Sequence, residues 1–185
     1  MKDRMSTFYL ISNIIRWRDY SMQLPRTLVG FSSTDLHSYK AMQAWKTNHN
    51  IDFNFTDCKL NYAINANNEA YVKRKVRELI DETEIYIMLI GKDTKKRHKY
   101  IAWEAEIAIE RSCTIIGVNL DGSTKMQLET CPPIIQDIGA IFVPFSPEIV
   151  AHAINNYQMR NERKSYHYDD STSMQLGDRI AASVL

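Results

Sequence analysis

Apolar residues recur along this chain with two spacings, and the alternation between them lays out its elements. Residues 85–90 (IYIMLI) are an unbroken apolar run, with acidic residues before it and Gly91 after it. A run of that kind suits a parallel strand buried on both faces. Residues 114–118 (TIIGV) repeat the pattern. Between the two the spacing turns helical from near Tyr100. At about 100° per residue, Ile101, Ala105, Ile107, Ala108 and Ile109 share one apolar arc, while Glu106, Glu110 and Arg111 fall opposite. Glu104 does not join those charges. It projects from the margin of the apolar arc, between Ile107 and Ala108. A carboxylate on the buried side of a first helical turn is costly unless something there uses it.

The same alternation runs through the rest of the chain. Residues 26–31 (RTLVGF) predict a first buried strand, and Ser32, Ser33, Thr34 and Asp35 after it are all helix N-cap formers. The helix they open extends to about residue 48, with Tyr39, Met42 and Trp45 as packing residues. Residues 51–55 alternate as a sheet-edge strand does, and 56–68 form an irregular polar segment with four asparagines. A segment of that length and composition is a loop that carries function or moves. Residues 68–81 are the cleanest helix, with Val72, Val76, Leu79 and Ile80 on one stripe. Residues 120–139 are mostly connection, 140–144 (AIFVP) a last buried strand, and Ser146-Pro147-Glu148 opens a last helix to about residue 158.

Five strands alternating with helices predict an α/β fold: a flavodoxin-like, doubly wound, five-stranded parallel sheet. With strand order 2-1-3-4-5, the ligand crevice lies past the carboxyl ends of strands one and three. Ser32-Ser33-Thr34-Asp35 and the stretch 91–104 then meet at one place. The domain spans residues 26–158. Residues 1–25 are an N-terminal extension, in which Phe8, Ile11, Ile14, Ile15 and Trp17 could form a short amphipathic element. It would dock on the domain or a partner subunit, or on a membrane surface. Residues 159–185 are a polar C-terminal extension, loose apart from a contact element near its end.

Composition narrows the classes. With 185 residues and 44% hydrophobic content the chain can bury one core. Lysine and arginine number 23 against 22 acidic residues, a net charge of +1, which gives no general attraction to nucleic acid or an anionic membrane. Cys58, Cys113 and Cys131 are odd in number and widely separated, so neither a disulfide framework nor a zinc site is indicated. Reduced thiols in a cytoplasmic protein are expected. No apolar run approaches the ~18 residues of a membrane span, and the N-terminus makes a poor signal peptide. The basic run Lys95-Lys96-Arg97-His98-Lys99 reads either as a solvated loop or as an anion or pyrophosphate site, with nucleic acid a minor option.

Several chemistries are disfavoured by what is missing. No GxGxxG follows strand one, and there is no GxxxxGK[ST] and no GxSxG. A phosphoacceptor receiver would want an acidic pair after strand one, where this chain has serines, although Asp93 lies near the end of strand three. On pattern alone Glu104 keeps two readings, a functional carboxylate or one favoured by the helix macrodipole. Trp103, on the polar side of its helix, suggests an assembly surface as readily as a ligand contact.

At Phe31-Ser32-Ser33-Thr34-Asp35, Phe55-Thr56-Asp57, and Tyr100-Ile101-Ala102-Trp103-Glu104 followed by TIIGVNL, the chain resembles a Toll/interleukin receptor-type (TIR) domain. It is similar in particular to the bacterial TIR-like proteins of Thoeris-type antiphage defence, over about residues 26–158. The resemblance implies an enzyme that cleaves the nicotinamide–ribose bond of NAD and in many relatives cyclises the product into an ADP-ribose messenger. It implies that Glu104 is the catalytic glutamate, that Phe31, Ser32, Ser33, Asp57 and Tyr100 contact substrate, with Asp57 in a loop after strand two, and that no metal or cofactor other than NAD as substrate is needed. It further implies a homo-oligomer when active and a separate effector that reads the product. Tyr100 stands where relatives often carry tryptophan, and Gly30 where they usually carry serine. Two alternatives remain open: a non-catalytic TIR scaffold, and N-glycosyl transfer of the nucleoside deoxyribosyltransferase kind.

Overall fold

The apolar run at the middle of the chain becomes the middle of a sheet. The computed structural model describes residues 24–47, 53, 56–57, 69–96, 99–159 and 162–168. Its strands are β1 (Arg26–Gly30), β2 (Thr56–Asp57), β3 (Ile85–Ile90), β4 (Thr114–Asn119), β5 (Ile141–Pro144) and β6 (Tyr166–His167). All pair in parallel, in the order β2-β1-β3-β4-β5-β6. The helices are α1 (Leu36–Trp45), α2 (Glu69–Ile80), α3 (Lys99–Glu110) and α4 (Pro147–Asn156).

Side chains alternate across the strands and feed two cores. Leu28, Tyr86, Met88, Ile90, Ile115 and Phe142 pack against α2 and α3 on one face. Val29, Ile85, Ile87, Leu89, Val118 and Val143 pack against α1 and α4 on the other. All six residues of β3 are buried, because helices cover both of its faces. The sheet is therefore doubly wound, with its switch point between β1 and β3.

The expected order 2-1-3-4-5 is present, with a sixth strand added outside β5. β6 was not expected, because residues 164–170 (KSYHYDD) contain no apolar run. It is held by backbone bonds from Tyr166 N to the Ala140 carbonyl and from Tyr168 N to the Phe142 carbonyl. Tyr168 adds a buried side chain to the α1/α4 core. The second strand also differs from expectation. Thr56 and Asp57 pair with β1, so Asp57 lies within the strand rather than in a loop after it. Phe53 is buried against Trp45; the other residues of 51–55, and residues 58–68 and 1–23, lie outside the described residues.

Candidate functional site

The switch point is closed by an acid the sequence offers only as a cap. Ser32 through Asp35 form a tight turn at the start of α1, but no side chain there caps the helix. Asp35 instead turns inward and is buried. Thr94 donates its hydroxyl to Asp35 Oδ2 at 3.3 Å and accepts the Gly91 backbone N–H at 2.8 Å. A Cβ on Gly91 would stand 2.5 Å from Asp35 Oδ1, so the glycine lets the loop after β3 close on the turn after β1. Burial raises the Asp35 carboxyl above its ordinary range, and Asp93 adds to the rise; the Thr94 bond and the nearby His37 oppose it.

Glu104 lies on the α2/α3 face of the same crossing. Helix α3 begins at Lys99, so Glu104 is in its second turn, where the macrodipole has largely faded. Its side chain is 1% exposed, deeper than a place at the margin of the arc suggested. Tyr86 of β3 donates its hydroxyl to Glu104 Oε2 at 3.2 Å, with the Ile101 carbonyl 3.4 Å away as a competing acceptor. Glu104 Oε2 also lies 2.7 Å from where a Cβ on Gly30 would be, at the carboxyl end of β1. A carboxylate, a phenol and a backbone glycine thus meet at one point beside the switch.

The other candidates distribute around this point rather than into it. Ser32 is buried and its hydroxyl accepts from Thr34 Oγ1 at 3.0 Å, whereas Ser33 is exposed. Phe31 stacks on Tyr39 of α1, with centroids 4.5 Å apart, on the face opposite Tyr86 and Glu104. Tyr100 is 40% exposed and meets Trp103 edge-on. Trp103 is half-buried rather than exposed: Lys73 of α2 lies 4.4 Å over its ring, which makes it part of the α2–α3 contact. The side chain of Asp57 lies outside the described residues. Of the basic run, Lys95 donates to the Leu128 carbonyl and Lys96 is exposed; Arg97, His98 and the Lys99 side chain lie outside the described residues. Among the described residues no group of three His, Cys, Asp or Glu side chains is placed to hold a metal ion. No described helix is long and apolar enough to cross a membrane.

Sequence reasoning brought the segments of Asp35 and Thr94 to this place without singling out either residue, and it missed Tyr86. Asp35 was hidden among cap formers and Tyr86 inside an apolar run. The only signal for Tyr86 was a phenol in a strand otherwise built of Ile, Met and Leu.

A doubly wound parallel sheet with its switch point between β1 and β3 is the arrangement of a flavodoxin-like, TIR-type α/β domain. Residues 29–125 match the family described as Thoeris protein ThsB, TIR-like domain. That match covers more than half of the chain, and the chain belongs to this family of Thoeris antiphage-defence proteins. No curated protein matches the chain.

Proposed function

We propose that this chain cleaves NAD at the nicotinamide–ribose bond, with Glu104 as the catalytic carboxylate, and so produces an ADP-ribose-type signal in cytoplasmic antiphage defence. The observation that carries the reading is a carboxylate buried to 1% exposure at the switch point of a TIR-type sheet. An ionisable group is rarely placed there without a partner or a task.

The chemistry needs little else. When the bond from ribose C1′ to the pyridinium nitrogen breaks, its electron pair neutralises the ring, and nicotinamide leaves without protonation. Positive charge passes to the ribose, as in glycoside hydrolysis. A carboxylate against that sugar face stabilises the charge or captures it covalently. Water or an adenine nitrogen then bonds to C1′ and loses a proton, giving the hydrolysed or the cyclised product. Ser32, Ser33, Asp57, Phe31 and Tyr100 belong to the same reading as substrate contacts, and NAD is its only small-molecule requirement. Glu104 is sealed in the present form. On this reading ribose reaches it only after the groups packed around it move, and the enzyme acts as a homo-oligomer whose product a separate effector reads.

One observation favours a second reading. A carboxylate with almost no exposed surface and a tyrosine partner also suits a structural role in a non-catalytic scaffold. Incubating the purified protein with NAD at high protein concentration, and resolving products by mass spectrometry, separates the two. The enzyme releases nicotinamide and Glu104→Gln does not; a scaffold leaves NAD intact in both.

A further inference from the structure

Gly30, Tyr86 and Glu104 come from three elements and fit one another closely. Tyr86 is wholly buried and pairs in register with Leu28. Its ring continues past that partner toward Gly30, two residues further along the same face of β1. A Cβ at Gly30 would stand 2.1 Å from the Tyr86 hydroxyl oxygen, 2.8 Å from Cζ and 2.7 Å from Glu104 Oε2. No side chain fits at position 30 while the phenol and the carboxylate keep these places. A serine there would collide with both.

The hydroxyl itself calls for an explanation. Tyr86 lies among Leu28, Met88, Ile101 and Ala105, where phenylalanine would fill the same space without burying a polar group. Glu104 Oε2 and the Ile101 carbonyl both lie within reach of its proton. The helix already uses its carbonyls internally, which leaves the Glu104 side-chain oxygen as the acceptor with capacity to spare. At 3.2 Å the contact is longer than the ~2.5–3.0 Å of a relaxed O–H···O bond, as expected of a hydroxyl shared between acceptors.

We infer that Tyr86 is the positioning residue of Glu104: its hydroxyl holds one carboxylate oxygen beside the carboxyl end of β1, and Gly30 is the opening that this requires. The kinetic consequence rests on the NAD-cleaving reading; the contact itself does not. The experiment therefore has two readouts. In Tyr86→Phe, nicotinamide release is expected to lose roughly tenfold or more in kcat, the scale of one hydrogen bond to a charged group. KM should change little. The infrared band of the Glu104 carboxyl group, assigned by its absence in Glu104→Gln, should shift in Tyr86→Phe. Gly30→Ala, which displaces the hydroxyl and the carboxylate together, should shift the same band and reduce kcat at least as much. Should wild type leave NAD intact while the band shifts, the contact stands and the NAD reading falls. An unshifted band in Tyr86→Phe overturns the positioning role, and so does an active wild type matched in kcat by Tyr86→Phe.

Discussion

At the scale of single residues, burial decides what each titratable group does. Asp35 is held above its ordinary 3.8 because it is buried, so the folded chain binds that proton more tightly than the unfolded chain does. Its contribution to stability is then fully present below about 3.8 and is lost as pH rises through the folded value. Asp35→Asn keeps an acceptor for Thr94 and removes the charge. Compared by urea unfolding, the variant should gain on wild type as pH rises from about 4 to about 7; a deficit that grows with pH would contradict this. Burial likewise pushes the Cys131 thiol up to about 12, against the weaker effects of Gln136 and Lys95. Since the thiolate is the reactive form, Cys131 should resist disulfide reagents near pH 8 in the native protein and react once urea exposes it. Labelling of Cys131 before unfolding would show that the site opens. None of this was legible in the sequence. Glu104 could be singled out because charge broke a helical pattern, whereas Asp35 sat among residues that suit a cap equally well.

At the scale of elements, legibility followed the apolar pattern. The run at β3 begins and ends in the structure where the sequence places it, because both faces of that strand are covered and every position reports burial. Helix α2 was equally plain, with Val72, Val76 and Ile80 buried on one stripe. The short edge strands were not. β2 and β6 are two residues each, and backbone pairing leaves no trace in side-chain pattern. Within β4, Gly117 is fixed by its neighbours. A Cβ there would lie 2.7 Å from Phe142 Cδ1 and 3.0 Å from Ile90 Cδ1. Overpacking of that kind costs about 1–3 kcal/mol, more than the ~0.4–1 kcal/mol that alanine returns by stiffening the unfolded chain. Gly117→Ala should therefore lower the urea midpoint, and an unchanged or higher midpoint would mean that Phe142 has room to move.

At the scale of the whole molecule, the sheet extends past the domain limit drawn at residue 158. β6 pairs along β5, and Tyr168 is 6% exposed in the α1/α4 core. Tyr168→Ala should cost roughly 3 kcal/mol, as loss of a buried aromatic does; a change within error would make β6 an ornament on the sheet edge. The fold then sets the functional question. Strand order brings the β1 turn and the β3–α3 crossing together, while Glu104 stays sealed behind Tyr86 and Gly30. A resting enzyme and a scaffold built on this fold differ in turnover and in binding, which are measured together. NAD cleavage by wild type and Glu104→Gln should be followed side by side, with NAD affinity of the variant determined on the same preparation. The account predicts that wild type releases nicotinamide, and that the variant still binds NAD but cleaves it at least a hundredfold more slowly. Equal cleavage by both proteins would remove Glu104 from the chemistry and contradict the account.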